Sequence, residues 1–331
     1  MSRGVYRALW GLLLLLLGLI LLATTQGAMR LPFASLWTAG HEGLRQIWLT
    51  IRLPRVLLGV LVGAALALSG CVMQGLFRNP LADPGLLGIS GGASLMVACW
   101  LVLPLSVPAL VALYAPMLAA FIGSLAVMVV IFLLSQAGDR GLSRLLLVGI
   151  AINALCNAGV GLLAWISNDT QLRQLSQWGM GSLGQVEWPT LVVAASLILP
   201  ASLLIWRVAS SLNLLQLGHE EAHYLGVNVP ALQRRLLACS ALLVATAVAI
   251  SGIISFVGLV VPHLMRMWLG ADHRVLVPAS LLVGAGLLLI ADTVARTVVA
   301  PAEMPVGLLT SLLGAPWFLG LIFRQRGAAH G

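Results

Sequence analysis

Apolar runs of roughly bilayer-spanning length follow one another along this chain from its first residues to its last. A hydrocarbon core about 30 Å thick takes roughly 20 apolar residues per helix. Such a chain is constrained to an all-α polytopic membrane fold, with lipid as its main solvent. Composition agrees: 60% of the 331 residues are hydrophobic and 8% are charged, against about 25% charged in soluble chains.

Breaking the runs at charged, proline-rich and glycine-rich stretches predicts about ten transmembrane helices, near 8–27, 54–77, 86–104, 109–134, 142–167, 189–209, 232–250, 254–269, 276–299 and 305–323. The stretch 232–269 is too long for one crossing and is split at Ser251-Gly252, a turn-forming pair. Without that split the count is nine. No soluble domain is left over, so residues 1–331 read as a single transmembrane domain. Arg3 and Arg7 before the run Ala8 to Ala23 resemble a signal peptide, but nothing downstream reads as a secreted domain, and the segment is kept as the first helix.

The 18 basic residues are all arginine and do not cluster, so the net charge of +8 does not point to nucleic acid. The absence of lysine excludes a phosphate-binding loop, whose lysine reaches the β- and γ-phosphates. Any ATP hydrolysis belongs to a separate subunit. Cys71, Cys99, Cys156 and Cys239 lie singly in apolar stretches, without metal or redox spacing. With the N-terminus inside, Arg30, Arg45, Arg52, Arg55, Arg173 and Arg296 fall outside and the other twelve arginines inside, as the positive-inside rule requires. Both termini are then cytoplasmic.

Two connecting segments carry helical patterns of their own. Asn168 to Glu187 mixes polar residues with Leu172, Leu175 and Trp178 and suits a helix at the outer interface. Gly218 to Pro230 is a short polar inner helix, with Glu220 and Glu221 in its first turn, where the helix dipole favours negative charge, and Gly226 at its end. A faint internal echo pairs Arg55 and Ala67-Leu-Ser-Gly70 with Arg235 and Ala249-Ile-Ser-Gly252, as an inverted-topology repeat would.

Several dense segments are more specific: Arg52-Leu-Pro-Arg55, Arg78-Asn-Pro-Leu-Ala-Asp-Pro-Gly85, Gly88-Ile-Ser-Gly-Gly-Ala93, Phe256-Val-Gly-Leu-Val-Val-Pro-His263, Asp272-His-Arg274, Ala291-Asp-Thr-Val-Ala-Arg296, Glu303-Met-Pro-Val-Gly307 and Gly314-Ala-Pro316. In this order they resemble the FecCD permease family over essentially the whole chain. The resemblance implies a type II ABC importer in the bacterial inner membrane: a permease homodimer, two cytoplasmic ATPase subunits and a periplasmic binding protein. It implies cargo among haem, ferric siderophores and cobalamin. The stretch Gln171 to Ser182 looks most like haemin permeases and is shared in large part by cobalamin permeases. No cofactor resides in such a chain; haem is cargo, and ATP is bound by the partner.

The resemblance further implies roles for named residues. Arg52, Arg55 and Arg296 are expected at an outer docking surface for acidic residues of the binding protein. Glu220, Glu221, Ala222, Leu225 and Gly226 are expected in the helix that couples to the ATPase. Asn153, Asn157, Arg173 and Met180 are expected along the translocation path.

Other chemistries compete for some of these residues. His219-Glu220-Glu221-Ala222-His223 matches H-E-x-x-H, which holds zinc when a third ligand is present. No third ligand stands out in the loop, so neither a metal site nor a metalloprotease is assigned. Gly88-Ile-Ser90-Gly-Gly92 matches the nucleophile elbow, which needs a strand before it. A polar loop precedes it instead, and no catalytic residue is assigned. His263, beside Pro262, reads as a core histidine rather than an iron ligand. Asp292, four residues before Arg296, can pair with it on one helix face. Gly59 and Gly63 read as internal helix packing. An ATP-independent transporter or channel remains the alternative among transport proteins.

Overall fold

A computed structural model describes residues 3–27, 29, 31–36, 42–104, 107–135, 141–184 and 186–328. Arg30 and Arg140, assigned to opposite sides by the topology rule, lie outside the described residues. Every regular element among the described residues is helical, and the α-helices are α1 (Arg3–Thr25), α2 (Glu42–Ile47), α3 (Leu53–Leu76), α4 (Ile89–Val102), α5 (Ala109–Ser135), α6 (Gly141–Ile166), α7 (Asp169–Gly179), α8 (Trp188–Arg207), α9 (Ala209–Leu217), α10 (His219–Tyr224), α11 (Val229–Ser251), α12 (Val257–Leu269), α13 (His273–Ala295) and α14 (Val306–Ala328).

Seven of these segments are long and apolar enough to cross a membrane, and three shorter apolar helices lie within α4, α12 and α14. Each of the ten predicted segments coincides with one of them. The second departs most from expectation. It begins at Glu42 rather than near residue 54, because a π-helical turn over Trp48–Arg52 joins α2 to α3. Pro54 has no N–H to return to the carbonyl of Thr50, and a wider turn just before it absorbs that mismatch.

Helix α3 is the axis of the bundle. All but a few of its residues are buried, against α8, α11, α12 and α13. In lipid, helix association rests on close packing and interhelical hydrogen bonds, and both are seen here. A Cβ on Gly63 would strike the Gly284 carbonyl of α13, and one on Gly70 the Gly258 carbonyl of α12. The first contact bears out Gly63 as an internal packing residue. Gly92 of α4 and Gly123 of α5 approach in the same way. The Ser69 and Ser240 hydroxyls are hydrogen-bonded to each other across α3 and α11. Gln74 Nε2 donates to the Leu259 carbonyl at 3.1 Å.

The echo between Gly70 and Gly252 marks two different local structures. Gly70 lies inside an unbroken helix, whereas Gly252, at φ 69°, ends α11. Cys71 and Cys156 are buried, Cys99 and Cys239 partly so, and all four are free thiols.

Candidate functional site

At one end of the bundle three arginines converge from two sequence-distant segments, Arg52 and Arg55 from the start of α3 and Arg296 from the end of α13. Arg55 lies in the first turn of α3, and its Nη2 donates to Asp292 Oδ1 of α13 at 2.9 Å. Its Nη1 donates to both carboxylate oxygens of Glu303, at 2.9 and 3.0 Å. Arg296 Nε stands 3.4 Å from Asp292 Oδ2, an ion-pair distance, and its Nη2 donates to the Ala23 carbonyl at 2.7 Å. Arg52 donates to the Thr24 and Met29 carbonyls at 3.4 and 2.9 Å. Ala23 and Thr24 belong to the last turn of α1, whose carbonyls lack helical partners and favour cations.

The three arginines are therefore 8%, 7% and 4% exposed for Arg52, Arg55 and Arg296. The side chains are thus closed off inside this chain rather than laid open at its surface. Their guanidinium groups are spent inside the chain, holding α1, α3 and α13 together. The Asp292–Arg296 pairing read from their spacing is present, but Asp292 also takes Arg55.

Deeper along the bundle, three glycines bring the end of α7, the break after α11 and the start of α14 into contact. Gly181 and Gly252 have φ 70° and 69°. A Cβ on Gly181 or Gly307 would strike the Ile253 carbonyl, and one on Gly252 the Trp178 carbonyl. Ser182 N–H donates to the Ser251 carbonyl at 2.7 Å, and Gly307 N–H to that of Gly181 at 3.3 Å. Phe256, at φ 69°, opens α12 in a left-handed conformation that a bulky side chain rarely adopts, and its side chain packs on Gly314 of α14. Met180 is exposed at this junction, and Arg173 is exposed on α7. Helix α7 carries a capping box that the sequence reading missed: Asn168 Oδ1 accepts from Gln171 N–H, and Gln171 Oε1 from Asn168 N–H.

Asn153 and Asn157 share α6 but not an environment. Asn153 is half-buried, with its amide oxygen against Gly91 of α4. Asn157 is exposed beside the small residues Ala154, Ala158 and Gly161. Between the loop after α3 and the α11–α12 break lies a small cavity of about 50 Å³, lined in part by Asp83, Ser90, Ser255 and Phe256. Burial pushes the Asp83 carboxyl up from the usual carboxylate range, opposed by a hydrogen bond from Gly85 N–H. Ser90 belongs to helix α4, which opens from left-handed Gly88, and among the described residues no strand precedes it. That helical setting does not form a nucleophile elbow.

At the opposite end α10 forms a short knob. Ala222 is fully buried, whereas Glu220, Glu221, His223, Tyr224 and Leu225 are exposed. Gly226, at φ 88°, closes the helix: Gly226 N–H donates to the His223 carbonyl and Val227 N–H to that of Ala222, at 2.9 and 3.0 Å. Those two bonds are a Schellman motif. Helix α9, absent from the sequence reading, connects the knob to the bundle. Gln216 Nε2 donates to the Gly75 carbonyl of α3 at 2.8 Å, and Asn213 Nδ2 to Asp272 Oδ1 at 2.7 Å. Asp272 caps α13 by accepting from Arg274 N–H. The Arg274 guanidinium beside it holds the Asp272 carboxyl well below the usual carboxylate range. His219 Nε2 lies 3.3 Å from Gln233 Nε2. Among the described residues no three His, Cys, Asp or Glu side chains gather as metal ligands would, and His263 is buried in α12.

The FecCD transport family matches residues 13–324. This chain belongs to that family. The FecCD chain is 63% identical over 322 residues, 97% of its own length and 96% of the relative's, to the hemin transport system permease protein HmuU of Yersinia pestis. It is 42% identical over 329 residues, 98% of its length and 96% of the relative's, to the vitamin B12 import system permease protein BtuC of Klebsiella pneumoniae. A solved structure described as an inward-facing metal-chelate type ABC transporter superposes with a TM-score of 0.86 at 35% identity, covering 96% of this FecCD chain and 99% of that one. The all-α permease fold and the multi-pass membrane character read from the apolar runs therefore stand.

Within this FecCD fold the expected site residues divide into three groups. The arginines form a buried network, the α10 residues form one contiguous knob, and the nominated path residues separate, with Asn153 in helix packing and Asn157, Arg173 and Met180 exposed. The Asn213–Asp272 tie and the glycine junction at Gly181, Gly252 and Gly307 were missed. The motif Asp272-His-Arg274 and the Ser251-Gly252 break were visible in sequence, but their partners lie on other helices.

Proposed function

We propose that this chain is the membrane-spanning permease subunit of an ATP-driven importer that carries haem from periplasm to cytoplasm. The observation carrying the cargo is the 63% identity, over 97% of the chain, to a hemin transport permease. It exceeds the 42% identity to a vitamin B12 permease of similar coverage. Cobalamin and ferric siderophores are the competing cargoes.

In this reading residues 1–331 form a single permease domain of the bacterial inner membrane, with both termini and the α10 end cytoplasmic. Two copies pair, two ATP-binding subunits dock beneath them, and a periplasmic binding protein delivers cargo to the Arg55 end. The exposed small face of α6 around Asn157, together with Arg173 and Met180, borders the path. Arg173 supplies a cation suited to the carboxylates of haem. The α10 knob receives the ATPase: Tyr224 and Leu225 offer exposed apolar surface at its tip, and α9 links it through Gln216 to α3 and through Asn213 to α13. A push on the knob thus reaches the central helix, while the bends at Gly252 and Phe256 give α11 and α12 a place to move.

The test is ATP hydrolysis by the reconstituted complex with its binding protein, with haem, cobalamin or a ferric siderophore supplied in turn. Haem is expected to stimulate most. Stimulation by another cargo and not by haem would replace the cargo and leave the family intact.

A further inference from the structure

Tyr6, Trp10 and Leu13 of α1 face Leu203 and Trp206 of α8 and Leu281 of α13 across a groove of about 450 Å³. The three helices are among the membrane-spanning ones, and Tyr6, Trp10, Leu203 and Trp206 are all exposed. The groove is therefore apolar and opens on the lipid side of the bundle. Its aromatic residues gather toward the α10 end, and tryptophan and tyrosine rings mark the headgroup level of a membrane.

Toward that end, within one helical turn (about 5.4 Å) of the aromatic residues, the walls turn cationic. Arg3 precedes Tyr6 by three positions, Arg7 precedes Trp10 by three, Arg207 follows Trp206, and Arg274 precedes Val277 of the same wall by three. All four are exposed. Arg274 is paired with Asp272 at 2.8 Å. Arg3, Arg7 and Arg207 have no carboxylate within ion-pair distance among the described residues. An apolar slot topped by unneutralised guanidinium groups at the aromatic level complements a molecule with a hydrocarbon tail and an anionic head. A peptide in the same slot would carry backbone polar groups into hydrocarbon.

We propose that the groove between α1, α8 and α13 binds an anionic phospholipid, with an acyl chain against Leu13, Leu203 and Leu281 and the phosphodiester among Arg3, Arg7 and Arg207. The site stands apart from the cargo path and does not depend on the choice of cargo. Basic pockets between membrane helices on the cytoplasmic side are suited to such headgroups.

Native mass spectrometry of the full complex, exchanged into bilayers of phosphatidylglycerol or phosphatidylethanolamine, reads the bound lipid directly. Phosphatidylglycerol is expected to be retained in preference. Combining Arg7→Gln with Arg207→Gln is expected to lower its retention about fivefold for each charge removed, leaving phosphatidylethanolamine unchanged. Combining Leu13→Trp with Leu281→Trp fills the groove and is expected to release both lipids. Equal retention of the two lipids by the unaltered protein, or phosphatidylglycerol retention untouched by the arginine substitutions, would overturn the proposal.

Discussion

Asp292 is a buried carboxylate between two arginines, so each of its neighbours depends on it. Removing one partner of a buried pair strands the other's charge, at a cost of about 3–5 kcal/mol. Asp292→Asn is expected to destabilise the permease on that order, read as thermal unfolding in detergent. Glu303→Gln is expected to cost less than about 1 kcal/mol, because the Glu303 side chain is 46% exposed and its pair with Arg55 is screened by water. Equal effects from the two substitutions would contradict the network as described. Sequence made the Asp292–Arg296 spacing legible, since four residues on a helix is local information. It could not show that Arg55, 237 positions away, joins the same carboxylate. Nor could it show that Asn153, nominated for the path by residue type, meets Gly91 of α4. Asn157→Cys is therefore expected to react with a thiol reagent and Asn153→Cys to be protected, in a background lacking the native cysteines. Equal labelling would contradict the division of α6 into a packed and an open face.

On the proposed coupling role, the α10 knob separates a folding anchor from a docking tip. Its anchor is buried Ala222, and its tip is exposed Tyr224 and Leu225. Replacing both tip residues with alanine is expected to leave thermal stability unchanged and to abolish stimulated ATP hydrolysis in the assembled complex. Ala222→Asp buries a charge and is expected to lower stability itself. Loss of stability from the tip variant, or normal stimulation by it, would contradict the assignment. The tie beneath the knob has a pH signature. Asp272 has a depressed carboxyl pKa, so its contribution is complete above the ordinary carboxylate value of about 3.9 and drains as pH falls below it. The melting difference between wild type and Asp272→Ala is expected to hold from about pH 8 to pH 5 and to narrow below about pH 4. A difference independent of pH would show that only the neutral cap matters. The knob was legible because Glu220, Glu221 and Gly226 announce a helix start and stop. Helix α9 was not, because Arg207, Ser210, Ser211 and Asn213 end the apolar run near 209, and the nine residues of α9 begin without a side-chain cap that would announce a new helix.

For the whole bundle, the ten apolar segments and their order were legible because lipid imposes one length rule on every crossing. What holds them together was less so. Close approach at Gly63–Gly284, Gly70–Gly258 and Gly92–Gly123 depends on which glycines meet, and nothing along the chain pairs them. The junction of Gly181, Gly252 and Gly307 with left-handed Phe256 is likewise a meeting of distant segments. It leaves a non-helical meeting point of α7, α11, α12 and α14, while the Arg55 network and the α3–α13 packing tie α1, α3 and α13 together. Such a scaffold suits a permease driven from one end by a separate ATPase. The direct measurement is haem uptake into proteoliposomes containing this chain, its ATPase partner and its binding protein, with ATP or a non-hydrolysable analogue available to the ATPase. Haem is expected to accumulate only with hydrolysable ATP and all three components present. Undiminished haem uptake by the permease alone, without the ATPase, would contradict ATP-driven import by this chain.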